Sequence, residues 1–274
     1  MLKLMYITSD PEVAAIAMQS GVDRIFVDME YIGKGDRQGG MDTVQSKHTV
    51  SDVRAIKGVM LPDHELLVRS NPIHSGSMQE IDKIVEAGAD IIMLPYFQRA
   101  EQVQQFVQFV DRRAKCCLLI ESKEAIENLD EILSVEGVDE YYVGLNDLHL
   151  DYKMKFMFEP LINGLLDDIV TKLKATGKPY GFGGVARVGE GMLPGERVII
   201  EHYRLGSTCV ILSRTFCNSA VITDKQELSS IFKKELTHMR IIESILKHVP
   251  CDNQLYSENH SSVTDVVNDI VSRK

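Results

Sequence analysis

Two carboxylates stand where two apolar runs give out. Glu121 follows Cys116-Cys117-Leu118-Leu119-Ile120. Asp147 lies in Gly144-Leu145-Asn146-Asp147-Leu148, just after Tyr141-Tyr142-Val143. Each run reads as a buried strand, and a helical stretch from residue 123 to about 135 separates them. In a strand–helix–strand unit the second strand usually lies parallel to the first, and neighbouring strands are about 4.8 Å apart. Two acids at the same end of neighbouring strands can hold one divalent cation between them. A hard cation with oxygen ligands and open positions is a catalyst for chemistry next to a carbonyl.

Such a pair needs a scaffold that brings strand ends together. Apolar runs alternate with amphipathic stretches along the chain. Further strands are predicted at 2–8, 24–28, 65–68, 89–94, 180–185 and 209–212. Helices are predicted after Pro11, from 49 or 51 to 56, 78 to 87, 100 to 113, 159 to 175, 194 to 203 and 225 to 248. Asp10 or Ser9 can cap the first helix with Pro11 at its first position, and Gly21, Gly88 and Gly206 stand where helices close. One long irregular segment, from Gly33 to about His48, is rich in glycine and charge and reads as a lid or a plain mobile loop. Eight strand–helix pairs in unbroken alternation predict an α/β fold of the (β/α)8 TIM-barrel type over residues 1–248. Residues 249–274 are expected to form a polar C-terminal tail with a short helix near 263–271. An open doubly wound sheet would call for a GxGxxG loop after the first strand, and none is there.

Composition narrows the partners. The 274 residues carry a net charge of −10, which argues against nucleic acid, since phosphate binding needs a basic face. The five cysteines contain no CxxC pair and read as reduced thiols of a cytoplasmic protein, not as a zinc site or disulfide framework. The apolar run of Met1-Leu2-Lys3-Leu4-Met5-Tyr6 is too short for a signal peptide, and no stretch is long enough to span a membrane.

In such a barrel the site lies at the C-terminal strand ends. There the sequence places Asp28 and Glu30, Arg69, Glu121 and Asp147, with Arg187 and Arg214 further out. Each has a structural alternative: Glu121 and Asp147 as helix caps, Arg69 in a structural ion pair. Their coincidence at one rim favours a site. Arg69 offers a fixed positive charge for a developing enolate oxygen or a bidentate carboxylate. The amides around Gly144, Asn146 and Asp147 can cradle a substrate carboxylate. Gly181, Gly183 and Gly184 fit barrel packing better than close approach to a ligand.

Several of these pieces carry a resemblance. Val27-Asp28-Met29-Glu30, Leu67-Val68-Arg69, Gly88-Ala89-Asp90-Ile91-Ile92-Met93-Leu94-Pro95, Leu118-Leu119-Ile120-Glu121 and Gly144-Leu145-Asn146-Asp147-Leu148 run in order over roughly residues 20 to 215. The sequence resembles the HpcH/HpaI aldolase–citrate lyase family of the phosphoenolpyruvate/pyruvate-barrel superfamily. The resemblance implies a divalent metal ion (Mg2+, Mn2+ or Co2+) held by Glu121 and Asp147. It implies a pyruvate-like 2-oxo acid chelating that ion, and Arg69 stabilising the enolate. The activity implied is reversible aldol cleavage, as a class II carbon–carbon lyase, with an aldehyde as the second small-molecule partner. It also implies a homo-oligomer, a hexamer or trimer of dimers, in which the helix of residues 225–248 is exchanged between neighbours.

One departure matters. Aldolases of this family typically carry His directly after the Asp-x-Glu of the second strand, and this chain has Tyr31. A free tyrosine, with a pKa near about 10, is a poor base at neutral pH. Tyr31 joins Arg69, Asp28 and Glu30 as the catalytic candidates, and His149, His48 and His74 are further candidates for moving the proton. Lys34, Arg37 and Arg187 would add positive charge near the mouth. The alternatives are a citryl- or malyl-thioester lyase and a non-catalytic metal-binding barrel.

Overall fold

A strand shows alternate side chains to its two faces, so closing a sheet sends every second residue inward. The computed structural model describes residues 1–33, 48–250 and 252–273. It closes eight parallel strands into one barrel in sequence order, the arrangement expected of a (β/α)8 fold. The strands are β1 (Lys3–Ile7), β2 (Arg24–Asp28), β3 (Glu65–Arg69), β4 (Ile91–Leu94), β5 (Lys115–Ile120), β6 (Glu140–Val143), β7 (Tyr180–Val185) and β8 (Cys209–Leu212). Around them lie α1 (Pro11–Gln19), α2 (Val50–Lys57), α3 (Ser77–Glu86), α4 (Ala100–Val110), α5 (Lys123–Glu127), α6 (Leu129–Leu133), α7 (Leu145–Asp151), α8 (Leu165–Ala175), α9 (Gly195–Arg204), α10 (Lys225–Leu246) and α11 (Gln254–Arg273). The segment expected as a lid or mobile loop falls mostly on residues 34–47, outside the described residues, and Lys34 and Arg37 fall with it.

The inward positions stack in three levels. At the N-terminal end Arg24 of β2 crosses the lumen to Glu140 of β6 through two hydrogen bonds of 2.8 and 3.0 Å, and to Glu65 at 2.7 Å. Lys115 and Lys3 close on the same Glu65 at 2.6 and 2.9 Å. Burial by itself would raise the Glu65 pKa, but the hydrogen bonds from Lys115, Arg24 and Lys3 more than offset it and hold the carboxyl well below its ordinary range. Above this ionic floor lies an apolar plug that includes Met5, Phe26, Leu67, Met93, Leu119 and Tyr142. The third level is the C-terminal rim. Two-residue steps along one strand thus carry Arg24 to Phe26 to Asp28, or Glu65 to Leu67 to Arg69.

Three elements differ from expectation. The stretch after β5 is two short helices, α5 and α6, broken at Asn128, whose side-chain amide donates to the Gln98 carbonyl at 3.1 Å. The helix before β7 starts at Leu165, after a 3-10 turn over Glu159–Leu161. The expected polar tail is a helix of 20 residues. Leu255, Tyr256, Val263, Val266, Val267 and Ile270 keep helical spacing along one stripe, and Val263 and Val267 are fully buried. This helix docks on α9 around the buried Glu201, which accepts from Arg204 at 2.7 Å and Asn259 at 2.9 Å and lies 3.1 Å from the ring of His260.

The helix expected to pass to a neighbour, α10, packs on its own barrel here. Glu243 accepts the Leu2 amide at 2.6 Å, Arg240 binds the Leu2 carbonyl and Asp23, and Phe232 meets Tyr6 edge-on at 4.9 Å. No helix among the described residues is long and apolar enough to cross a membrane. Four cysteines are described, all as buried free thiols, and burial pushes the Cys116 and Cys209 thiols up to about 12.

Removing one partner of a buried ion pair strands the other charge. Arg24→Met is expected to lower the unfolding free energy in urea by about 3–5 kcal/mol, and adding Glu140→Leu to restore much of it. A folded pKa held down means a contribution that is complete above the ordinary glutamate range, near about 4.3, and fades as pH falls below it. The acid limb of the stability profile is therefore expected to flatten in Glu65→Gln.

Candidate functional site

The rim begins with Arg69, the last residue of β3. Its Nε and one terminal nitrogen donate to the two oxygens of Asp28, each at 2.8 Å, and the other terminal nitrogen meets Glu30 at 3.2 Å. The strand register sets this up, because Asp28 of β2 is the direct partner of Arg69 on β3. Burial opposes the charge of Arg69, but Asp28 and Glu30, with Glu121 beyond them, more than offset it and hold the guanidinium above its ordinary range. The Phe26 ring lies below the guanidinium, 5.7 Å from its carbon to the ring centre. A guanidinium has five N–H donors. Three are taken by Asp28 and Glu30, which leaves one on each terminal nitrogen for a ligand.

Glu121 follows β5 directly and is buried. One of its oxygens accepts the Tyr96 amide at 3.1 Å, and Tyr96 reaches it with a left-handed φ of 44° just after Pro95. Ser122, not Glu121, caps α5 through the Ala125 amide. Asp147 sits in the first turn of α7, 8% exposed, with Gly144 at the cap position. The Gly144 amide is used on the Ile120 carbonyl at 2.9 Å. What Gly144 offers is the lack of a side chain, since a Cβ there would lie 2.7 Å from the second oxygen of Glu121. That cleared space beside one acid, with the other on the next element, suits a hard cation bound by carboxylate oxygens and completed by substrate and water. Among the described residues no group of three His, Cys, Asp or Glu side chains gathers to hold a metal alone.

These pieces meet in one cavity of 180 Å3 inside the rim. Arg69, Glu121, Gly144, Asn146 and Asp147 line it, with apolar walls from Phe26, Met93, Leu119 and Met157. Gly183 and Gly184 of β7 line it as well, whereas Gly181 serves packing against Cys209 and Tyr142. Asp28 and Glu30 stand behind Arg69 and do not line the cavity. Tyr31 is 68% exposed, and its amide and that of Ile32 are tied to the Asn71 side chain at 3.0 Å.

The histidines are placed for other work. Nδ1 of His48 accepts the Asp28 amide at 3.1 Å, which puts the proton on Nε2 and makes that nitrogen a donor. His74 accepts the Gly76 amide on Nδ1 and meets Glu80 at 3.0 Å through Nε2. Glu80 in turn holds Asn71 at 2.7 Å. His149 is buried in α7 with Nδ1 3.3 Å from the Leu145 carbonyl. Arg187 donates to the Phe216 carbonyl and lies 3.6 Å from Glu190, so it ties loops together outside the cavity. Sequence reasoning passed over Tyr142 and Met157 as lining residues. Tyr142 was legible as the inward position two before Gly144. Met157 had no such signal, because it comes from the irregular stretch after α7.

Known proteins resemble this chain in sequence and fold. The model of the HpcH/HpaI aldolase/citrate lyase family matches residues 3–183. The chain is similar to the 2-keto-3-deoxy-L-rhamnonate aldolase of Escherichia coli (strain K12), 28% identical over 207 residues, spanning 64% of this chain and 71% of the relative. Among solved structures it is similar to an HpcH/HpaI aldolase from Desulfitobacterium hafniense DCB-2, with a TM-score of 0.61, 16% identity and coverage of 92% and 95% of the two chains. It is also similar to the citrate synthase SbnG, with a TM-score of 0.59, 17% identity and coverage of 82% and 93%.

The cleared space at Gly144 yields a direct test. Gly144→Ala is expected to push the Glu121 carboxylate aside and weaken Mn2+ binding, followed by electron paramagnetic resonance, by about 10–100-fold. The circular dichroism spectrum should stay that of the unaltered protein.

Proposed function

This chain belongs to the HpcH/HpaI aldolase/citrate lyase family and is a carbon–carbon lyase, and from that premise we propose that it is a metal-dependent aldolase that makes and breaks a short 2-oxo acid of the pyruvate class, with an aldehyde as second partner. The observation that carries this reading is the clamped Arg69. Held in that way, Arg69 lines one small cavity with Glu121 and Asp147.

Glu121 and Asp147 are the residues that would hold Mg2+, Mn2+ or Co2+. A divalent cation there supplies Lewis-acid polarisation of the keto group. The chain's own residues do the rest. Arg69 presents fixed N–H donors to the oxygen on which negative charge grows, and Asp28 and Glu30 act as positioning residues that keep those donors aimed. The substrate carboxylate is assigned to the start of α7, at Asn146 and Asp147, whose first-turn amides have no acceptor within the helix, with Gly144 clearing the space beside them. Phe26, Met93 and Leu119 exclude water from the carbon that becomes a carbanion. Tyr31 is assigned to contact with the entering aldehyde at the mouth. The same reading includes a homo-oligomer, a hexamer or trimer of dimers, in the cytoplasm. Ile241 and Ile245, exposed on α10, support an assembly face.

The test follows exchange of the pyruvate methyl protons with deuterated water by NMR, in the presence of Mg2+, Mn2+ or Co2+. Exchange is expected with the unaltered protein and should vanish in Glu121→Gln combined with Asp147→Asn. Arg69→Lys, which keeps the charge but loses the fork, should slow it by about 10²–10³-fold. Metal binding without any exchange would defeat the proposal. Turnover of a citryl or malyl thioester with none of free 2-oxo acids would move the protein to the thioester branch of the family.

A further inference from the structure

The seam between β7 and β8 is irregular beside the cavity. Gly181 pairs with Cys209 and Gly184 with Ile211, so two residues of β7 face one of β8 in between. This is a bulge, and a bulge leaves ladder groups without their usual partners. Gly183 sits in it with a left-handed φ of 56°. The group that fills the gap comes from a third strand. The Tyr142 hydroxyl, from inside the barrel, accepts the Ile211 amide at 2.9 Å and donates to the Gly183 carbonyl at 2.6 Å, with the Phe182 carbonyl 3.2 Å away. Gly181 makes room for it, because a Cβ there would strike the Tyr142 ring. Tyr142, Gly183, Gly184 and Ile211 all line the cavity that holds Arg69, Glu121 and Asp147.

We propose that Tyr142 is a positioning residue of the substrate cavity, whose hydroxyl props the β7–β8 seam open and fixes Gly183 and Gly184 as a wall for the bound 2-oxo acid. The proposal rests on the aldolase reading above. The charged groups of the rim occupy the arc from β2 to the start of α7. The opposite arc, β7, β8 and β1, presents Gly183, Gly184, Ile211 and Ile7. Ligand groups that do not reach a charge therefore lie against backbone whose position one hydroxyl sets. A phenylalanine at 142 would keep the ring and its packing but leave the Ile211 amide and the Gly183 carbonyl unmatched.

Tyr142→Phe separates a positioning role from a purely structural one. Exchange of the Ile211 amide is expected to quicken by about tenfold or more, and KM for the cleaved 2-oxo acid to rise about tenfold while kcat changes by less than about threefold. Mn2+ affinity, read without substrate, should match the unaltered protein. Faster exchange with KM unmoved would make the hydroxyl merely structural and overturn the proposal, as would unchanged exchange. Should the variant fail to fold, the unaltered protein with pyruvate and Mg2+ serves. Protection of the Gly183, Gly184 and Ile211 amides supports the proposal, and protection confined to the start of α7 overturns it. If the unaltered protein neither binds nor turns over 2-oxo acids, the aldolase reading falls and takes this proposal with it. If it does both and Tyr142→Phe behaves identically, only the proposal falls.

Discussion

Everything at the rim depends on one buried charge being held still. Arg69 is gripped by Asp28 through both carboxylate oxygens and by Glu30 through one, and the three residues come from adjoining strand ends in fixed register. A guanidinium so placed cannot swing toward solvent to meet its ligand. In the proposed function it would meet the ligand with the donors left over. A lysine in the same position would be a point charge on a flexible stem with no edge to present. The second tier behind the grip, from Asn71 to Glu80 to His74, pins the backbone at Tyr31 and Ile32, and so fixes where β2 leaves the barrel.

Among the residues that line or back the cavity, those described carry more negative charge than positive. Asp28, Glu30, Glu121 and Asp147 stand around a single guanidinium among the described residues. Asp28 and Glu30 are turned toward Arg69, while Glu121 and Asp147 line the cavity. An anionic 2-oxo acid entering alone would meet that surplus as repulsion, and a dication turns it into attraction. In the proposed function, the call for a metal is a property of the charge balance as much as of the two carboxylates that would hold it. At the other end of the lumen the balance is different. There Arg24, Lys3 and Lys115 face Glu65 and Glu140, and the charges pair with one another.

The barrel was legible in the sequence because its signals are local. Apolar runs of four to six residues, punctuated by Asp10-Pro11, Gly88 and Gly206, alternate with helical spacing, and a parallel barrel is what such alternation builds. Glu121, Asp147 and Arg69 were legible for the same reason, as polar residues at the ends of those runs. The partners of Arg69 were not assigned, because pairing across neighbouring strands needs the register, which spacing does not supply. The ionic floor left a trace that went unused: Lys3, Arg24, Glu65, Lys115 and Glu140 each open a strand. The hydrogen bonding of the histidines was not legible. His48, His74 and His149 stand near motifs in sequence, yet each spends a ring nitrogen on backbone, a fact that only the fold reveals. The tail misled through its polarity, since the stripe from Leu255 to Ile270 is thin and its buried polar partner, Glu201, lies more than fifty residues earlier.

That last contact gives the C-terminal helix a genetic meaning. A premature stop before Gln254 would leave the barrel strands and the rim intact on paper. It would also strip Asn259 and His260 from Glu201 and bare the groove that takes Val263 and Val267. A carboxylate with part of its hydrogen bonding gone, beside newly wet hydrophobic surface, is the kind of lesion that proteases and chaperones recognise. Loss of the helix from Gln254 to Arg273 should therefore act as a loss of abundance and not of chemistry.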